Sequence, residues 1–248
     1  MSTQKLLYNK IIEDYKKYYY NEEAKFYRKK IFLNQIRKFG DKKKSVIEIG
    51  CGPGYSLKIL KESGFKFKSY YGIDVSNKSV EYFKKIHTKS ACRVLDFSKR
   101  SIKLNRKFDI IFFNGCIHHM SKKLPIVFSN CKKILKKNGI IIMIEPNGSF
   151  LNFFRNLWYK FDNYFNHKDE EAVTIKTLDI YLDKKYRKIY LNYFGFAGFF
   201  LVLQSMILRT PSFFLNKTYK ILTYFDLLLS KFNMKYLSAA YVIVYKKN

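Results

Sequence analysis

The chain has 248 residues, 48% of them apolar or aromatic, and a formal net charge of +29. That content supports one large domain with a sizeable core and excludes a disordered chain. The charge points to an anionic partner, such as nucleic acid, an acidic lipid surface or a phosphorylated substrate, or to a composition biased toward Lys, Asn, Ile, Tyr and Phe. Four cysteines (Cys51, Cys92, Cys116 and Cys131) lie far apart with no C-x-x-C, which argues against disulfide staples and zinc clusters. No metal site is expected. Residues 1–5 lead into a short apolar patch and then charges, so no signal peptide is read and a reducing, cytoplasmic setting is expected.

Residues 4–39 interleave charges with Ile, Leu, Phe and Tyr and predict helix. From there β and α signals alternate. Residues 46–49 predict a strand, 55–62 a helix, 70–75 a strand, 78–86 a helix and 92–95 a short strand. They are followed by a strand at 109–113, a helix at 125–135 and a strand of nearly pure Ile at 139–144. Short continuous apolar strands separated by helices imply a mostly parallel sheet covered on both faces. After Pro146 the pattern turns to longer aromatic and basic stretches. Residues 189–208 carry no charge and match a membrane span in length. A span there would strand the apolar run 239–245 across the bilayer from the sheet. A return crossing by 212–234 is opposed by Lys217, Lys220, Asp226 and Lys231. The reading adopted is therefore a strand at 187–194, an apolar helix at 197–208, an aromatic and basic helix at 213–232 and a final strand at 239–245.

The first strand runs into Glu48-Ile-Gly50-Cys51-Gly52-Pro-Gly54. In an open parallel sheet, ligands sit at the carboxyl ends of the strands, and glycine lets backbone approach a ligand closely. A dinucleotide fingerprint starting at Gly50 needs a third glycine at position 55, which is Tyr. A P-loop needs G-K-[ST], which is absent. Glu48, two residues before the first glycine, would repel a phosphate and suit a cationic ligand.

The spacing Glu48-x-Gly50-x-Gly52-x-Gly54 resembles motif I of class I S-adenosylmethionine-dependent methyltransferases, and the resemblance continues through the next hundred residues. It implies a doubly wound, seven-stranded Rossmann-like α/β sheet with a helical N-terminal cap and a C-terminal helical insert. The corresponding parts are residues 1–44 as cap, 45–148 as the cofactor-binding core, and 149–248 as acceptor-side helices with the last strands of the same domain. It implies S-adenosylmethionine as cofactor, held by Glu48, Gly50, Cys51, Gly52 and Gly54. Asp74 would bond the ribose hydroxyls, as an acceptor-only carboxylate can, with Val75 against the adenine. Asp96 and the Phe97 amide would read the adenine edge, and Asn114 would approach the methionyl part. Between positions 45 and 148 only seven acids occur, and Glu48, Asp74, Asp96, Asp109 and Glu145 take motif positions. The segment Leu135-Lys-Lys-Asn138-Gly139 resembles the family's turn before the fifth strand, with Asn138 able to adopt the left-handed conformation.

Methyl transfer needs positioning, water exclusion and, for a protonated acceptor, a base. His119 and then His118, after the fourth strand, are the catalytic candidates, because histidine titrates near neutrality; packing or helix capping is the competing role. Cys116 reads as a buried thiol, and His87 and His167 as surface residues. Tyr18, Tyr19, Tyr20, Phe26, Tyr27 and Arg28 lie in the cap, where the resemblance lets aromatic rings face the sulfonium. The motif of base-amine methyltransferases is absent at Asn114-Gly-Cys-Ile117 and the charge is spread, at +8, +13 and +8 over 1–44, 45–148 and 149–248, so nucleic acid is not favoured. The expected acceptor is a small or lipid-linked molecule, most simply a hydroxyl of a saccharide, lipid or quinone-like compound. RNA methylation and a non-catalytic cofactor-binding scaffold are the alternatives. The two helices at 197–208 and 213–232 resemble inserts in methyltransferases of glycan, lipid and quinone pathways; they could wall an apolar acceptor pocket, lie on an anionic membrane surface, or close the domain as an ordinary buried pair.

Overall fold

The computed structural model describes residues 20–152, 171–182, 185–203, 208 and 210–248. Seven strands form one sheet: β1 (Ser45–Ile49), β2 (Ser69–Asp74), β3 (Ala91–Val94), β4 (Phe108–Asn114), β5 (Leu135–Pro146), β6 (Tyr186–Phe194) and β7 (Ala240–Lys247). Their order is β3-β2-β1-β4-β5-β7-β6. β1 to β5 run parallel, and β7 inserts antiparallel between β5 and β6. The doubly wound sheet implied by the resemblance is the sheet observed.

The central strands β1 and β4 and the buried part of β5 are mostly apolar because both faces are covered. Period-two alternation sends Val46, Ile110, Phe112, Ile142 and Val244 to one face and Ile47, Ile111, Phe113, Ile141 and Ile243 to the other. The first face carries α1 (Glu22–Arg28), α2 (Tyr55–Glu62), α3 (Asn77–Ile86) and α6 (Ser212–Leu229); the second carries α4 (Leu124–Ile134) and α5 (Ile175–Leu182). Phe113, fully buried near the carboxyl end of β4, is the kind of side chain whose truncation to Ala costs about 3–5 kcal/mol.

Local signals start the helices. Asn21 caps α1 by accepting from the Ala24 amide at 2.8 Å, and Ser76 caps α3 by accepting from Ser79 at 3.1 Å. α1 continues as a π-turn over Lys29–Leu33 and shorter turns to Phe39. Asp226 of α6 acts as a shared anchor on this face. Its carboxylate accepts from the Tyr27 hydroxyl at 2.6 Å, from the Phe196 and Phe199 amides at 2.9 Å and from Gly198 at 3.0 Å. One buried acid thus joins α1, α6 and the first turn after β6.

Several elements differ from the sequence reading. β5 begins at Leu135, where a helix end and a turn are predicted, because Leu135 already pairs with Phe108 before the register shifts. Asn138 within it sits at φ +60, the left-handed conformation anticipated for it. Residues 117–123 form 3₁₀ turns in place of a loop, and α5 is not predicted. The uncharged stretch 189–208 breaks at Gly195 (φ +90) between β6 and a helical turn. Among the described residues no helix is long and apolar enough to cross a membrane. The predicted helix over 4–19 with Tyr18 and Tyr19, most of 204–209, and His167 lie outside the described residues.

Candidate functional site

The strand order reverses between β1 and β4, and the loops leaving these two strands meet there. The first is Gly50–Gly54. Its start is clamped to the end of β2, with Gly50 and Cys51 amides donating to the Ile73 carbonyl at 2.8 and 3.0 Å. The glycines serve two purposes. A Cβ on Gly50 would lie 2.4 Å from the Cys116 sulfur, so this position lets the two loops touch. A Cβ on Gly52 would meet nothing within 4 Å, and the same holds at Gly115 after β4. Gly52 and Gly115 therefore front open space at the carboxyl ends of neighbouring strands.

Asp74 ends β2 beside this space. Its Oδ2 accepts from the Gly52 amide at 2.9 Å and its Oδ1 from the Ser76 amide at 2.8 Å. Burial pushes its carboxyl up, and the Ser76, Gly52 and Val75 amides pull back. Val75 follows, half-buried. After β3, Asp96 accepts from the Ser98 amide at 3.0 Å and hydroxyl at 2.6 Å. The Phe97 ring is buried in the core, edge-on to Phe113, so Phe97 offers the site its backbone. Asn130 of α4 fixes that backbone, donating to the Phe97 and Lys99 carbonyls at 2.9 Å each. The Cys51 thiol points into the core 3.5 Å from the Cys92 thiol, and burial raises it well above the usual thiol range.

Glu48 is fully buried under the glycine loop. One carboxylate oxygen accepts from the Tyr70 hydroxyl, while Oε1 has no hydrogen-bond partner. Sheet register explains the pairing: Val46 sits opposite Tyr70 and Glu48 opposite Gly72, so both side chains lie on one face. Burial pushes the Glu48 carboxyl up to about 8, against hydrogen bonding from Tyr70 and Ser56 and with the Asp74 charge adding to the rise. Ser56 in the first turn of α2 also accepts from Asn114 Nδ2 at 3.0 Å, which ties the end of β4 to this acid.

Glu145 near the end of β5 is the second buried acid, and it is fully used. Its Oε1 accepts from the Cys116 and Ile117 amides, both at 2.8 Å, and its Oε2 lies 2.8 Å from His118 Nδ1. The carboxylate thereby sets the path of the loop after β4 and fixes the His118 ring. His119 stacks beside it, ring centroids 3.9 Å apart.

The structure thus gathers Glu48, Gly50, Cys51, Gly52, Gly54, Asp74, Val75, Asp96, Phe97, Asn114, His118 and His119 along one edge of the sheet. Asp109 does not join them. It opens β4 at the opposite edge, bonded to the Ser45 amide and hydroxyl at 2.8 and 2.7 Å and to Lys136 at 2.8 Å. His87, expected at the surface, instead reaches the Gly54 carbonyl at 2.7 Å and packs on Phe83; burial lowers its pKa. Tyr20 of the cap stacks on Tyr55 at 4.0 Å, next to the glycine loop, and Arg28 lies 4.3 Å over the Tyr20 ring. Sequence reasoning missed Tyr70, Ser56 and the grip of Glu145 on His118. Only Glu145 carried a signal, as one of the few acids at a strand end. The edge fits a nucleoside carrying positive charge: glycines facing open space, acceptor-only Asp74 and Asp96, and a buried acid with an unsatisfied oxygen. Among the described residues no cluster of His, Cys, Asp and Glu could hold a metal ion.

Comparison with known proteins agrees with this geometry. The family described as "Methyltransferase domain" matches residues 40–195. A malonyl-[acyl-carrier protein] O-methyltransferase of Hamiltonella defensa is 26% identical over 142 residues, 57% of this chain and 53% of that protein. The chain spans about half the length, or less, of the curated relatives it matches. A solved S-adenosylmethionine-dependent methyltransferase from Anabaena variabilis superposes with TM-score 0.64 at 15% identity, over 99% of this chain and 93% of that one. Another from Archaeoglobus fulgidus gives 0.57 at 18% identity, over 88% and 94%.

Proposed function

Since the chain belongs to this methyltransferase family and is an enzyme that uses S-adenosylmethionine, we propose that it methylates a hydroxyl oxygen of a small or lipid-linked acceptor. The observation that carries this reading is the buried Glu145 carboxylate on His118 Nδ1. A carboxylate there keeps the Nδ1 proton in place and makes Nε2 the basic nitrogen. His118 then takes the hydroxyl proton as the new bond forms, and Glu145 stabilises the resulting imidazolium. The same arrangement supports His118 as the base over His119, the first candidate from sequence.

When bound, S-adenosylmethionine supplies a methyl group already activated by its sulfonium. The chain's part is positioning and exclusion of water. Glu48 would meet the cofactor's positive charge, Asp74 its ribose hydroxyls, and Asp96 with the Phe97 backbone its adenine. Asn114, held by Ser56, borders the reacting end. The name of the Hamiltonella relative places its chemistry at oxygen, which supports an oxygen acceptor here.

The test is fractionation. Purified protein is incubated with methyl-labelled S-adenosylmethionine and an extract of its source cells, then lipid, glycan, RNA and small-molecule fractions are separated. Alkali-stable label in the lipid, glycan or small-molecule fraction, lost in His118→Gln, supports the reading. Label in RNA, or label unchanged in His118→Gln, overturns it.

A further inference from the structure

α6 is apolar on both sides. Its inner face holds Leu215, Thr223 and Asp226, all buried. Its outer face exposes Phe213, Ile221, Tyr224 and Leu228 at 71, 70, 50 and 53%, and the stripe continues through Phe232 at 67% to Tyr236 at 69%. Helical spacing sets Phe213, Ile221, Tyr224 and Leu228 on one side of α6, and the chain after it carries Phe232 and Tyr236. A soluble surface rarely carries so many large apolar groups together without a partner. The helix cannot turn them inward, because Asp226 on the opposite face is held by four donors from α1 and the 196–199 turn.

Charge says what the partner is. Lys217, Lys220, Lys231 and Lys235 sit among or beside these apolar groups, all exposed. Asp226, buried, is the one acid in residues 210–248. Tyr and Phe with long-stemmed lysines are the composition of the interface between headgroups and acyl chains, where the lysine stems lie on apolar surface and the ammonium groups reach phosphate. A second copy of this chain is a poor occupant, since two-fold packing of this face would bring its lysines against one another with no exposed acid from residues 210–248 to answer them. The surface also ends beside the site. Asn147, two residues after Glu145, donates to the Lys235 and Ser238 carbonyls at 2.6 and 2.8 Å and so fixes the turn that carries Tyr236.

We propose that the outer face of α6 and the turn through Tyr236 dock on the headgroup region of an anionic lipid bilayer, lying in its plane. The lysines supply attraction, the aromatic stripe supplies insertion, and Asn147 holds the inserted turn next to the strand that positions His118. Docking does not depend on which acceptor is methylated and is read without one.

The experiment is co-sedimentation of the full chain with vesicles of phosphatidylcholine alone and of phosphatidylcholine with phosphatidylglycerol in equal parts. Binding to the anionic vesicles only, weakened by added salt, is expected. The triple variant Lys217→Gln/Lys220→Gln/Lys231→Gln should bind about a hundredfold more weakly, at about fivefold per lysine. Ile221→Asp/Leu228→Asp/Phe232→Asp should lose binding altogether, while both variants keep the wild-type thermal shift with S-adenosylhomocysteine. Absence of binding to either vesicle, or equal binding by both variants and the wild type, would overturn the proposal. So would a stable dimer in light scattering, or capture of an acidic carrier protein, that the apolar triple variant abolishes while vesicles stay unbound.

Discussion

The two ends of the sheet use carboxylates in opposite ways. At the amino end Asp109 is partly exposed and answered by the chain itself: partial burial pushes its carboxyl up, but Lys136 and Ser45 outweigh this and leave it below the usual range. At the carboxyl end Glu48 is sealed beneath the glycine loop with the hydroxyls of Tyr70 and Ser56 for partners and no cation, and burial lifts it to about 8. An acid whose charge is compensated locally holds strands together. One left uncompensated in a closed place is suited to a positive charge that arrives from outside. Glu145 stands between these cases, with its partners supplied by the chain, yet one of them is the His118 imidazole proposed above as the base.

The largest expected effect concerns Glu48 and the stability of the protein without cofactor. Its folded pKa of about 8 lies above the carboxylate value of 4.5, so the folded state keeps a proton that the unfolded chain has lost. The stability is full below the lower value and falls as pH rises toward the upper one, by an amount on the order of 3–5 kcal/mol. Urea unfolding across this range should show that slope, and Glu48→Gln should flatten it. Asp74→Ala should weaken S-adenosylhomocysteine about a hundredfold by calorimetry, as expected when charge-assisted acceptors are removed, with the fold retained.

Glu145→Gln should lower kcat about a hundredfold, with a shifted pH profile and little change in cofactor affinity. Combined with His118→Gln, the losses should fall well short of additive, because both act through one imidazole. A fall in cofactor affinity with kcat unchanged would show Glu145 to be only a loop anchor. Asp109→Asn should cost the least, about 1 kcal/mol near neutrality. That cost should vanish as the pH falls through the folded pKa of Asp109, since a depressed carboxylate stabilises only while ionised. Methylation kinetics should be untouched, which sets the amino end apart from the carboxyl end.

The architecture was legible because it rests on local periodicity. The apolar runs of β1, β4 and β5 and the breaks at the glycine loop and Asn138 name a parallel sheet and its cradle. The uncharged stretch 189–208 was read as strand and helix because a span would have removed β7 from the sheet, and β6 and the helical turn through Leu203 agree with that reading over the described residues. What stayed hidden depends on register or on sequence-distant packing. Tyr70 meets Glu48 only because β2 pairs with β1 in one register, and His87 reaches Gly54 only because α3 returns over the loop. The stripe of α5 (Ile175, Leu178 and Leu182) is short and blurred by the exposed Ile180 and Tyr181, and the turns at 117–123 are set by Glu145 from another strand. Asp109 was read as opening the fourth strand, and it does, but that it pairs with Ser45 and Lys136 depends on strand register and was not legible.

The most direct test of the central contrast is proton linkage. S-adenosylmethionine binding would be measured by calorimetry at about pH 7 in buffers of different ionisation heat, for the wild type and Glu48→Gln. If Glu48 waits neutral for a cation, binding ionises it and releases about one proton per site, and the variant releases none. Binding without proton release, or a release that Glu48→Gln leaves unchanged, would contradict the account.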